Sequence, residues 1–368
     1  MKTTIAVVCT VIFHLTALAQ MDLPPEGFNP RATVSEEVGI TNMTIKYSRP
    51  GVKGREGQIW GGLVANGFSS FNFVTNRMSS PWRAGANEAT IISFEHDVKV
   101  AGKPLPAGSY ALFMALTGDS ATLIFSHQTD AWGSFYYNPE QDALRVNVKT
   151  IALKQSVEWL KYEFIEHYEN SCVIALNWEK LSVPFKVDVE VEQIVLDRIR
   201  AEFTGVKGFI SANKLQASRY CFNKNIHLEE ALSWAQSAVT GKPFGQSGFD
   251  AYTNLATGYE KLDRFAQADS VMQEGLAIAN VNQFTGYGRK LLSKKRHTQA
   301  LEVMLAAQKK FGAGYPVNNG LSYAYSAMGN YANALEFAQH ALAQAPPSSV
   351  PKIKENITKL QAGIDINL

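Results

Sequence analysis

Four alanines recur through the second half of the chain, Ala231, Ala268, Ala300 and Ala334, at separations of 37, 32 and 34 residues. Around each of them apolar residues fall at helical spacing, with a bulky side chain on one helix beside a small one on the next. A unit of that length is a helix pair that cannot bury its apolar face alone, so successive copies must stack on one another. The copies run over 228–239, 254–268, 287–300 and 321–335, with Asp263, Lys295 and Gly329 at the turns inside the pairs. Pro243 and Pro346 stand where a repeat ends, and a closing helix is expected over 352–360. In the third copy His297 takes the place of the aromatic residue found as Phe265 and Tyr331.

The first half is written differently. Short runs rich in β-branched and aromatic residues occur at 43–48, 90–94, 110–116, 121–126, 144–149, 159–165, 172–178 and 183–189, separated by Gly, Pro, Asn and Asp. Several alternate apolar with polar, the signature of a half-buried strand. Turn signals such as Gly118-Asp119 and the stretch from Ala101 to Gly108 lie between them, and no run long enough for a crossover helix intervenes. The pattern predicts an antiparallel β-sandwich rather than a parallel α/β sheet. The expected fold is therefore a two-domain β plus α protein: a sandwich over 20–190, a linker over 191–210 and a helical solenoid over 211–368.

The first 19 residues combine Lys2, an apolar stretch from Ile5 to Leu18 and a small-residue site at Ala17-Leu18-Ala19, which reads as a secretory signal peptide. Gln20 follows that site where a lipidated cysteine would stand, so the expectation is an exported, non-lipidated protein, periplasmic or extracellular. No later segment is apolar enough to span a bilayer. Loss of residues 1–19 takes the formal charge from +2 to +1, and without a basic run nucleic acid is not an expected partner. Cys172 and Cys221, one in each half, either form one interdomain disulfide or remain as buried thiols. There is no Cys-x-x-Cys pair and no clustered histidine, and neither a metal nor an organic cofactor is expected.

One passage looks more like a site than a packing unit. It comprises YSRPGVKGR over 47–55, IWGGL over 59–63 and WRAGANEAT over 82–90. Arg49, Lys53, Arg55 and Arg83 are cations on glycine-rich backbone, and an arginine fork grips carboxylate, phosphate or vicinal hydroxyls at two points. Trp60 and Trp82 offer flat faces for a sugar ring or a cation. The ligand-binding candidates are Arg49, Arg55, Trp60, Arg83, Asn87 and Glu88, and the expected ligand is a glycan or an anionic small molecule. A structural reading uses the same residues: Arg83 pairs with Glu88 inside the sandwich and the tryptophans plug its ends. A third makes Glu88 the acid/base of an envelope hydrolase acting on a glycan or peptide, with Arg83 steering its ionisation. Nucleophile-elbow, zinc-protease and phosphate-loop motifs are all missing.

Those three runs, with GKPLPAGSY over 102–110 and WEKLSVPF over 178–185, resemble an exported bacterial family catalogued as domain of unknown function 2911, across about residues 22–190. The resemblance implies a secreted β-rich domain, often followed by a helical tail, with no established activity. In that family the Gly-Gly-Leu segment leads almost directly into the Trp-Arg segment, whereas residues 65–80 here add a loop containing Phe68, Phe71, Phe73 and Arg77. It is read as a tolerated surface insertion, with a lid as the alternative. The helical half resembles tetratricopeptide repeats, which implies a protein or peptide partner.

Overall fold

The computed structural model describes residues 28–240 and 248–368. The expected signal peptide and Pro243 lie outside the described residues. The chain divides between Asp197 and Arg198 into two compact units. Among the described residues no helix is long and apolar enough to cross a membrane.

The first unit holds twelve described strands: β1 (Arg31–Val38), β2 (Thr41–Ser48), β3 (Ser70–Asn72), β4 (Arg77–Ser80), β5 (Thr90–Phe94), β6 (Val98–Val100), β7 (Lys103–Leu105), β8 (Gly108–Thr117), β9 (Ser120–Ser126), β10 (Asp142–Lys149), β11 (Ile151–Tyr168) and β12 (Ser171–Val189). They form a six-stranded sheet in the order β1-β2-β5-β8-β9-β10, a four-stranded sheet β11-β12-β6-β7 and the small hairpin β3-β4. Every strand ladder is antiparallel. Met43, Ile45, Ile92, Leu112, Met114 and Phe125 of the first sheet share one core with Leu160, Tyr162, Ile174, Leu176 and Phe185 of the second. Each such buried aliphatic or phenyl side chain contributes about 1.5–3 kcal/mol of apolar transfer. The expected antiparallel sandwich is the observed one.

Three details depart from the sequence reading. The runs 172–178 and 183–189 are one strand, β12, kinked where Glu179 adopts φ 51° and the register with β11 shifts. The stretch around Ala101-Gly102 is a two-residue hairpin turn between β6 and β7, with both residues at positive φ, the geometry that matches strand twist. The segment 191–210, expected as a linker, contains helix α1 (Val191–Phe203) and a short 3-10 turn; Val191 closes against Gly39 in the β1–β2 turn.

The second unit pairs α2 (Ser211–Lys224) with α3 (Leu228–Thr240), α4 (Phe249–Lys261) with α5 (Phe265–Ile278), α6 (Val281–Ser293) with α7 (His297–Phe311) and α8 (Tyr315–Ala327) with α9 (Tyr331–Gln344), followed by α10 (Val350–Gln361). Ala231, Ala268, Ala300 and Ala334 are all buried, as the period requires. Asp263, Lys295 and Gly329 hold positive φ at the turns, which ends one helix and reverses the chain into the next. Close packing depends on glycine. A side chain at Gly258 would meet the Phe222 ring at 2.4 Å, and Met304 lies against both Gly288 and Gly320. Across repeats, Arg296 donates to Asp269 at 2.6 and 2.7 Å, and Lys310 donates to the carbonyls of Leu276 and Ala277 near the end of α5.

Candidate functional site

The glycine-rich run after β2 is pinned to the long hairpin of the second sheet. Val52 N donates to Glu158 O at 2.8 Å, and Lys53 N donates to the Glu158 carboxylate at 2.9 Å. Lys53 and Gly54 both take positive φ, so the chain turns sharply and Arg55 N returns to Val52 O. Gly57 N then donates to Oε1 of Glu179, the buried carboxylate at the β12 kink. The side chain of Arg55 is fixed to its own turn, with Nε donating to Val52 O at 3.0 Å and Nη2 to Gly51 O at 2.8 Å.

The second run, 82–90, is anchored by a mutual pair of 2.8 Å hydrogen bonds between the backbones of Trp82 and Met114. Ala84 is buried at φ 52°, and its carbonyl accepts from the hydroxyls of Thr90 and Tyr162. Gly85 follows where a Cβ would press on the Thr90 hydroxyl at 2.6 Å and on Ser48 O at 3.2 Å. Left-handed conformations at Ala84 and Asn87 cost of order 1 kcal/mol each and are held by these contacts. They aim Arg83 outward: Nη1 donates to Asn87 O at 2.5 Å, the guanidinium stacks 4.8 Å from the Phe135 ring, and Gly133 leaves it room. Burial lowers the Arg83 pKa from its ordinary value.

The two runs border a cleft of about 590 Å³. Lys53, Arg55, Arg83 and Asn87 supply its polar side, and Trp82 and Trp178 are also part of its lining. The 65–80 loop is a wall of this cleft, a role its reading as a surface insertion did not assign: it folds as β3-β4 and brings Ser70, Phe71 and Met78 to the cavity. Asn72 fixes that hairpin from inside, donating to Ser80 and Tyr137 O and accepting from the backbones of Val74 and Thr75. Phe73 N bonds Phe135 O at 2.8 Å, tying the hairpin to the segment that stacks on Arg83.

Arg55, Arg83 and Asn87, among the expected site residues, line the cleft; Arg49, Trp60 and Glu88 do not. Arg49 donates through Nε to Leu160 O at 2.9 Å and joins the end of β2 to β11. Trp60 packs edge-on against Trp82 at 5.8 Å and Trp178 at 5.6 Å, so it supports the tryptophans of the cleft. The Arg83–Glu88 pair does not form. Glu88 instead accepts from Arg31 Nε at 2.7 Å through one oxygen, while the other is buried with no hydrogen-bond partner among the described residues. No carboxylate lines the cleft among the described residues, so Glu88 has no seat there as an acid/base. Cys172 and Cys221 are free buried thiols; burial raises them to about 12 and about 11 respectively.

Residues 29–187 match the sequence profile of a family described as a protein of unknown function (DUF2911). Residues 315–347, spanning α8 and α9, match a tetratricopeptide repeat. No curated protein matches the chain. Solved structures with similarity include one from a functional characterisation of Pseudomonas aeruginosa PilF, at 20% identity over 43% of this chain and 70% of that chain, TM-score 0.31. YrrB, described as a tetratricopeptide protein with an unusual peptide-binding site, aligns at 16% identity over 42% of this chain and 78% of that chain, TM-score 0.30. MamA from AMB-1 aligns at 16% identity over 42% of this chain and 82% of that chain, TM-score 0.28.

Across residues 29–187, sequence reasoning missed Phe71, Met78, Ser134, Phe135 and Trp178 as cleft residues. Phe71 and Phe73 belonged to a loop set aside as an insertion. Phe135 comes from a different loop altogether. The available signal was the aromatic pair Phe135-Tyr136 between turn-forming residues, an uneconomical placement for a loop unless something covers or uses it.

Proposed function

We propose that this is an exported binding protein whose β-sandwich takes a small polar ligand in the cleft, while its helical repeats contact a protein or peptide. The tetratricopeptide match supports the protein-interaction role of the repeats. Export rests on the leader-like composition of residues 1–19. The ligand role rests on one observation: Arg55 and Arg83 line the cleft and are held by backbone carbonyls instead of carboxylates. A guanidinium oriented in this way keeps its full charge and its remaining donors, and it loses little freedom when a ligand docks.

The test is thermal unfolding of the protein beside Arg83→Gln across sugars, organic acids and nucleotides. A true ligand raises the wild-type midpoint, by about 2.7 kcal/mol of stabilisation at a hundredfold excess over Kd, and leaves the variant unmoved. If no compound shifts either protein, the cleft is not a ligand site and the repeats carry the function.

A further inference from the structure

The composition of the cleft narrows what it can hold. Its apolar lining includes Phe71, Met78 and Phe135, and Met78 is 61% exposed at its edge. These residues come from two separate loops that converge on the face where Arg83 sits, with Phe135 stacked on its guanidinium at 4.8 Å. On Arg83 only Nη1 makes a hydrogen bond within the described residues, and on Arg55 Nη1 is the nitrogen left over. Among the described residues no acidic side chain lines the cavity to accept from sugar hydroxyls. The cleft thus offers pinned cationic donors next to aliphatic and aromatic surface. Its volume of about 590 Å³ falls in the range of small-molecule sites, far above that of an inorganic ion.

We propose that the ligand is an amphiphilic organic acid: a carboxylate or phosphate monoester held by Arg83 and Arg55, carrying an aromatic or alkyl body that packs on Phe71, Met78 and Phe135. This rests on the cleft being a ligand site, as proposed above, and specifies its chemistry. Guanidinium–oxyanion bonds are charge-assisted and forked, so they fix the head group. The apolar body gains by leaving water against surfaces that are now partly exposed. A neutral glycan would leave the arginines without an anionic partner, and a bare anion would leave the apolar wall wet.

The experiment is a fluorescence titration of the full protein, read through the tryptophans at the cleft. The probes are 4-butylbenzoate, 4-butylphenyl phosphate, methyl 4-butylbenzoate, inorganic phosphate and maltotriose. The proposal expects both butyl acids to bind, with affinity lowered about tenfold or more by Arg83→Gln and again by Met78→Glu. Met78 is exposed, so Met78→Glu leaves the fold intact and keeps the test decisive should Arg83→Gln unfold. Equal binding of the methyl ester overturns the acid requirement, and inorganic phosphate binding as tightly as the butyl acids overturns the apolar one. If maltotriose binds and the acids do not, the cleft stands as a ligand site and its assigned chemistry falls. Binding by none of the probes, together with no midpoint shift across the wider panel, overturns both.

Discussion

Gly133 in the β-sandwich and Gly258 in the helical array do the same geometric job with opposite results. Each leaves room for one large side chain: the guanidinium of Arg83 in the first case and the ring of Phe222 in the second. Phe222 is buried, and the vacancy at Gly258 is filled by packing alone. Arg83 is a charged group held at a cavity by a carbonyl and an aromatic face, with donors to spare. The backbone around it carries left-handed residues that are not glycine, at Lys53, Ala84 and Asn87. In the array the positive-φ positions Asp263, Lys295 and Gly329 are turn positions where the helix must end anyway. Local strain in the array serves connection, whereas in the sandwich it serves aim.

Gly258→Val drives a branched side chain into the Phe222 ring, and we expect a loss of about 3 kcal/mol by urea denaturation, with no change in ligand response at the cleft. A small effect would mean that repeats slide past one another and that their glycines are not packing determinants. Gly133→Ala sits at φ 61° with its new methyl within 2.4 Å of Arg83, so a loss of about 1–2 kcal/mol is expected from the left-handed backbone. Unlike the helical variant, it should also abolish any ligand-induced midpoint shift; retention of that shift would show that Arg83 is not aimed by Gly133.

A double-mutant cycle measures how the charges of the sandwich pair. Arg31 and Glu88 should couple by about 0.5–1 kcal/mol, a modest value because the pair is partly exposed, while Arg83 and Glu88 should be additive within about 0.3 kcal/mol. Coupling between Arg83 and Glu88 of the larger size would restore the lock that the geometry argues against. The smallest effect concerns the thiols, one in each region. Both are buried with pKa values raised, so neither should react with a disulfide reagent at pH 8 before unfolding. The unfolded chain ionises first. The stability each thiol contributes is complete below about pH 8.5 and is lost as pH rises through the folded values of about 12 and about 11. Mass mapping of Cys172 and Cys221 in sub-denaturing urea then reports which region opens first.

The array was legible because its contacts are local. Ala231, Ala268, Ala300 and Ala334 bury themselves against helices adjacent in sequence, so period alone announces the packing. The strands were legible where they alternate, as in β2 and β5, and less so where a kink at Glu179 joins two runs into one strand. At the cleft, Arg55, Arg83 and Asn87 could be picked out from their glycine-rich context, yet the partner of Glu88 could not. Arg83 lies five residues from Glu88 and Arg31 lies 57 residues away, and nearness along the chain favoured the wrong arginine.

Residue order by itself determined that this chain has a β-rich half and a repeat-built helical half, because alternation, turn chemistry and period act over a few residues or between neighbouring repeats. Tertiary structure alone decided which polar residues meet. The cleft collects side chains from the 50s, the 65–80 hairpin, the 80s, the 130s and β12, and such long-range convergence leaves no periodic trace. It also decided that Arg49 and Trp60 support the fold while Arg55 and Arg83 face the cavity. Similar residues in similar runs differ there only in which backbone carbonyl or indole face the sandwich brings within reach.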